Sequence, residues 1–114
     1  FFEIAKDAAE GVKVVMPAAD NTRNEVNAFL DRFEKENGHR AVAEAYVLLS
    51  WDRLNILKKA VETVGYDGAK IRDYLYSMPA YKGLGGETKF DANGDAKILP
   101  LVTVAKGGKF VVAK

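Results

Sequence analysis

A chain of 114 residues, 48% hydrophobic and 29% charged, has the balance of one globular domain and not that of a disordered segment. Its 17 basic and 16 acidic residues leave a net charge of +1, and no run of Lys or Arg marks a nucleic-acid-binding face. The lack of Cys excludes disulfides, thiol catalysis and cysteine zinc sites, and no apolar stretch is long enough to span a bilayer.

The opening Phe1-Phe2-Glu3-Ile4 shows neither an initiator Met nor a basic leader, so the chain is expected to be a mature form or a fragment. Residues 1–10 read as a short helical or irregular lead-in. Gly11 then opens Val12-Lys13-Val14-Val15-Met16, a β-branched run stopped by Pro17 and read as a strand. Nearly every position is apolar, which predicts cover on both faces. Asp20-Asn21-Thr22 begins a helix, and Thr22 and Glu25 have capping-box spacing. Val26, Phe29, Leu30 and Phe33 follow at i, i+3, i+4 and i+7 and form one apolar face. Asn37-Gly38 supplies the stop, because both residues tolerate the left-handed conformation.

Residues 41–64 carry a second, longer helical pattern. Its first half, 43–51, is apolar on most sides and is expected to be deeply buried. Leu54, Leu57, Val61 and Val64 are expected to continue the inner face, with Arg53, Lys58, Lys59 and Glu62 outside. Gly65 ends this helix, and Asp67 caps a third. Ile71, Tyr74, Leu75 and Met78 form the inner stripe of that third helix, which Pro79 closes.

From Gly83 the character changes. Glu87-Thr88-Lys89-Phe90 is a short alternating strand, and Asp91-Ala92-Asn93-Gly94-Asp95 is a turn by composition. Residues 98–105 form a second strand, interrupted by Pro100. Gly107-Gly108 is a hairpin signal, and residues 109–113 are the return strand. A strand, three helices and three short strands do not make a self-contained α/β fold, because the lone early strand needs partners. Such strands are expected to find them, by pairing or swapping between copies, and a homo-oligomer is one outcome.

Several segments together resemble one family, in order. Ala8-Ala9-Glu10-Gly11-Val12 resembles the entry to a late strand of the branched-chain amino acid binding proteins, which are type I periplasmic solute-binding proteins of ABC importers. Residues 29–38 resemble the helix that follows. Trp51-Asp52, with 54–65 after it, resembles the family's Tyr-Asp-Ala helix, with Trp51 where the family has Tyr. Residues 67–75 resemble the next short helix. Tyr81-Lys82-Gly83, leading to Phe90-Asp91-Ala92-Asn93-Gly94-Asp95, resembles its Phe-Asp-Gly-x-x-Gly-x-x-x-Phe-Asp-x-Asn-Gly-Asp motif. Residues 102–112 resemble the closing hairpin, with Gly108 at a common Asp position.

The resemblance implies an α/β chain that is the C-terminal part of a type I periplasmic-binding-protein fold. That fold has two Rossmann-like lobes, joined by three crossings, with a ligand cleft between them. It assigns 1–16 and 102–114 to the second lobe and 21–97 to the first. Residues 17–20 and 98–101 become crossings. The family's N-terminal portion, with the polar groups that hold a ligand's carboxylate and ammonium, is absent. The implied function is non-enzymatic: an exported, periplasmic or cell-surface component that closes on a branched-chain or related amino acid or small carboxylate. It would hand this ligand to ABC permease subunits. The alternatives are a ligand-sensing receptor module of the same fold and a structural fragment that binds nothing. No cofactor, metal or nucleic acid is implied.

Tyr46 is the expected ligand contact, because it aligns with an aromatic position that lines the cleft in family members. Its competing reading is a core residue of a buried helix. Glu44, two residues away, is the second candidate, and a solvated Glu at the helix start is its competing reading. Trp51 reads as a core or lobe-interface residue. Asp52 reads as a local partner of Arg53 or Lys59, and a catalytic role is not expected of it, because no nucleophile or base accompanies it. His39, the only His, reads as a surface loop residue. Asp91, Asn93 and Asp95 alternate as a calcium loop does, but Ala96 and Val102 stand where that loop needs Gly and Glu. Gly83-Leu84-Gly85-Gly86 lacks the Lys and Ser or Thr of a phosphate loop and reads as a flexible bend.

Overall fold

The structure, a computed structural model, describes residues 1–96 and 100–113. Its elements run α1 (Phe2–Ala5), a 3-10 helix (Lys6–Ala9), β1 (Lys13–Met16), α2 (Asn24–Asn37), α3 (Glu44–Val64) and α4 (Gly68–Ser77). After these come β2 (Tyr81–Gly83), β3 (Gly86–Thr88), β4 (Leu101–Lys106) and β5 (Lys109–Val112).

β1, β4 and β5 form one antiparallel sheet with β4 in the centre. The register runs from Lys13↔Val104 to Met16↔Leu101 on one side of β4 and from Thr103↔Val112 to Lys106↔Lys109 on the other. The early strand therefore finds its partner within its own chain, not in another copy. Among the described residues, β1 and β5 are the edge strands of this sheet. Of the strand expected at 98–105, Ile98 and Leu99 lie outside the described residues. Gly107 and Gly108, with φ of 57° and 76°, turn β4 into β5 as a two-residue hairpin of this hand requires.

Partners across an antiparallel pair share a face. Val14, Met16, Leu101, Thr103, Ala105 and Phe110 lie on the inner face, where Thr103 and Ala105 are buried. The lead-in covers this side: the rings of Phe1 and Phe2 sit 5.6 and 4.9 Å from that of Phe110. The Thr103 hydroxyl donates to the Val14 carbonyl at 3.0 Å. The other face is open. Val15 is 65% exposed, so the cover expected on both faces of β1 is not met. The apolar run gave no sign of this, since Val serves either face.

The helices pack through Val26 and Leu30 of α2 against Leu48 of α3 and Ala41, all buried, with Phe29 and Phe33 at the margin. Burying each larger side chain contributes about 1.5–3 kcal/mol. The Thr22–Glu25 capping box does not form. Arg23 is the N-cap residue, without a side-chain cap. The Thr22 amide and hydroxyl both donate to the Asp20 carboxylate, at 3.2 and 2.5 Å, and Glu25 pairs with Arg23 at 2.8 Å. A short-range Asp turn has won the competition for Thr22. Gly38 and Gly65, with φ of 75° and 80°, stop α2 and α3 as expected.

α3 starts at Glu44, and its inner line is not the expected one. Ala45, Leu48, Leu49, Asp52, Ile56 and Ala60 are buried. Leu54 is 64% exposed, and Leu57 is exposed with it. The line has rotated to bring a carboxylate inside and two leucines outside. α4 follows expectation: the Asp67 carboxylate accepts from the Lys70 amide at 3.1 Å, and Met78 is buried. β2 and β3 pair from Tyr81↔Thr88 to Gly83↔Gly86. The bend at 83–86 is thus a hairpin turn, and β2 went unread in the sequence. Beyond it, Phe90 bridges Ala96 around the expected turn, where the Asp91 carboxylate accepts from the Asn93 and Asp95 amides at 2.9 and 3.1 Å.

The Cα radius of gyration is 16.9 Å. A compact domain of this length has about 13 Å. The excess arises because the principal backbone contacts stay within two groups: the three-stranded sheet with its lead-in, and the helices with the β2–β3 hairpin. A rotated inner line on α3 has a measurable consequence. In urea unfolding, Leu48→Ala is expected to cost about 2–5 kcal/mol and Leu54→Ala no more than about 0.5. Equal costs would disprove the rotation.

Candidate functional site

The inward turn of α3 is explained by Asp52. It is 2% exposed, and its carboxylate accepts from the Leu84 amide at 2.9 Å and the Gly85 amide at 2.6 Å. Arg23 grips the same turn from the other side. Its guanidinium donates to the Gly83 carbonyl at 3.2 Å and to the Leu84 carbonyl at 3.4 Å. An anion thus takes the amides of the turn and a cation takes its carbonyls. Hydrogen bonds to charged groups contribute about 1.5–3 kcal/mol each. The fit admits no side chain: a Cβ at Gly83 would overlap the Asp52 carboxylate, and one at Gly85 would lie 2.8 Å from Leu49. The expected pairing of Asp52 with Arg53 or Lys59 is therefore corrected. Tyr81 of β2 sits beside this group. Burial, and then the Asp52 charge, push its phenol pKa above the usual value of 10.0.

Two depressions flank the clamp. One is an apolar groove of about 420 Å³ between α2 and α3, walled by Phe29, Phe33, Tyr46, Val47, Trp51 and Leu54. The Phe29 and Trp51 rings meet at 5.3 Å with a 50° tilt. Tyr46 stands on the first turn of α3 and is 59% exposed, which removes its core reading. Trp51, expected in a core or interface, is half-open on the same groove. Glu44 does not line it. The Glu44 carboxylate accepts from Arg40 at 2.7 Å, and Arg40 also reaches Asp31 and Glu34, each at 3.3 Å. These partners, Glu44 first, raise the Arg40 pKa and pin the link between the helices.

The second depression, about 410 Å³, lies between residues 17–20, the start of α3 and the β2–β3 hairpin, and it reaches Leu101. Asp20, Arg23, Glu87 and Lys89 give it charge of both signs. The sequence reading assigned none of these four to a site. Their only signal was Asp20 and Arg23 standing just before the apolar stripe of α2. His39 is exposed in the interhelical link, with Nδ1 3.1 Å from its neighbour's carbonyl. Among the described residues, no three His, Cys, Asp or Glu gather to hold a metal.

This arrangement can be set beside known proteins. The family described as periplasmic binding protein matches residues 3–107. The chain belongs to that family. A leucine-binding protein of Thermotoga maritima superposes with a TM-score of 0.77 at 23% identity, covering 99% of this chain and 33% of its own. A putative branched-chain amino acid ABC transporter protein of Rhodospirillum rubrum gives 0.76 at 23%, with 98% and 33% covered. A solute-binding protein of an R. palustris ABC transporter, solved with benzoate, gives 0.71 at 24%, with 96% and 31% covered. No curated protein matches the sequence. The chain spans about a third of these structures. It is an α/β piece of the type I periplasmic-binding-protein fold, which the order of motifs assigned to the C-terminal part.

Asp52→Asn keeps the shape but offers one acceptor oxygen to two amides. It is expected to cost about 1–3 kcal/mol in denaturant unfolding. An unchanged midpoint would refute the clamp. The raised Tyr81 pKa means that the folded state holds this proton more tightly than the unfolded chain. Its contribution is intact below about pH 10 and is lost as pH climbs through the folded value. Tyr81→Phe is expected to flatten the alkaline limb of a stability-against-pH curve, and an identical limb would contradict the shift.

Proposed function

We propose that this chain is part of the substrate-binding component of an ABC importer, working in the periplasm or at the cell surface. Its output is hinge closure on a ligand, not chemistry. One observation carries the reading. The chain leaves the three-stranded sheet after Met16 and returns to it at Leu101, and these two residues are paired. Two structural groups are therefore connected at a single place, as a hinge requires. In this reading 1–16 and 102–114 belong to one lobe and 21–97 to the other. Among the described residues, no helix is long and apolar enough to cross a membrane.

Tyr46 is proposed as an aromatic wall for the apolar body of the ligand. The leucine of the T. maritima protein's name and the benzoate of the R. palustris complex both join such a body to a carboxylate. Mainly apolar walls with a few polar anchors suit that class, a branched-chain or related amino acid or a small carboxylate. The anchors are assigned to polypeptide beyond this third of the fold. Glu44 would meet a ligand's ammonium only by exchanging Arg40 for it. The permease subunits of the importer are the proposed partners.

Calorimetric titration of the chain alone with leucine or benzoate is expected to show no binding tighter than about 1 mM. Sub-millimolar affinity would overturn the assignment of the anchors. In a complete two-lobed protein carrying this chain, Tyr46→Ala is expected to weaken ligand binding at least about tenfold without lowering the melting temperature. Unchanged affinity would remove Tyr46 from the site.

A further inference from the structure

We propose that Asn93 is a site of spontaneous modification in the folded chain. Its carboxamide condenses with the Gly94 amide and opens to isoaspartate, while the same step at Asn37 and Gly38 is protected. The sequence holds these two Asn-Gly steps and no others. Glycine in second place leaves its nitrogen unhindered, because it carries no Cβ. The only co-reactant is water. The Gly94 nitrogen loses its proton and attacks Asn93 Cγ. The Cγ–Nδ2 bond breaks, and the leaving amino group takes up that proton and departs as ammonia. A five-membered succinimide remains, and water adds to one of its two carbonyls. Attack at Cγ restores the ordinary main chain, now with aspartate. Attack at the main-chain carbonyl breaks its bond to the Gly94 nitrogen. The chain then runs through Cβ and Cγ as isoaspartate, one methylene longer.

The surroundings separate the two steps. Asn37 is the last residue of α2. Its Nδ2 donates to the Phe33 carbonyl at 2.8 Å, and the Gly38 amide donates to the Glu34 carbonyl at 2.8 Å. Leaving group and nucleophile are thus both held by one helical turn. Closing the ring would swing ψ away from its helical value of about −42° and break these bonds. Asn93 lies instead in the exposed turn between Phe90 and Ala96. The Asp91 carboxylate holds the main-chain amides of Asn93 and Asp95. Among the described residues, no partner holds the Asn93 carboxamide, and the Gly94 amide has one bond, to the Asp91 carbonyl at 3.0 Å. A single bond in an exposed turn opens at small cost, so the nitrogen is released without unfolding the rest. The product does not fit back. A Cβ on Gly94 would stand 3.0 Å from the Tyr76 hydroxyl of α4, so this side of the turn has no room for a lengthened main chain. The new carboxylate also joins those of Asp91 and Asp95, which repel it.

The test keeps the folded chain in mildly alkaline buffer, digests samples with trypsin at intervals and weighs the peptides by mass spectrometry. Peptides 90–97 and 36–40 report Asn93 and Asn37 separately. Peptide 90–97 is expected to gain the mass of an amide-to-acid exchange at least about tenfold faster than 36–40. Once converted, it is expected to accept a methyl group from S-adenosylmethionine through an isoaspartyl methyltransferase. Urea is expected to bring the two rates together, because both steps then lie in unfolded chain. Asn93→Gln, which would have to close a six-membered ring, is expected to leave peptide 90–97 unconverted. Equal rates in the folded chain, faster conversion at Asn37, or a difference that persists in urea overturns the proposal. So does a converted 90–97 that accepts no methyl group.

Discussion

The helical half of the structure depends on the grip that Asp52 and Arg23 exert on one turn. A buried carboxylate is tolerable only when its oxygens are satisfied, and here two backbone amides do so. That requirement fixes which side of α3 faces inward, and it overrides the simpler tendency of leucines to seek the interior. It also places the β2–β3 hairpin against α3 and ties both to the start of α2. Three segments far apart in the chain are thereby held at one point, without a large apolar core between them.

The same rotation creates the groove that Tyr46 lines. With Asp52 turned inward, Tyr46, Trp51 and Leu54 face outward along α3, where they meet Phe29 and Phe33 of α2. The aromatic groove is thus a by-product of an electrostatic constraint. An exposed strip of this kind is unusual on an isolated domain and normal on a portion of a larger binding protein. The long radius of gyration and the coverage of one third of related structures describe the same incompleteness from two directions.

What could be read from the sequence was mostly local. Gly38, Gly65, the Asp67 cap and the Gly107-Gly108 turn act within a few residues, and each stands where the residue type demanded. The features that escaped depend on distant partners. Asp52 bonds 32 residues away and Arg23 bonds 60 residues away, so composition around either position gave no hint. Periodicity placed Leu54 and Leu57 inside because it weighs each side chain by polarity and not by the bonds awaiting it. Thr22 had the right spacing for a capping box, yet Asp20 stood nearer. For the site, resemblance singled out Tyr46, but its groove needs two helices in register, and the apolar pattern of each had assigned the same aromatic residues to a core.

The sheet register holds one more consequence. Advanced by one rung past Met16 and Leu101, it sets Pro17 opposite Pro100. Each ring holds φ at about −65°, away from the roughly −140° of an antiparallel strand, and both strands stop at this rung. Bending the chain at Pro17 therefore leaves the four rungs from Lys13 to Met16 intact.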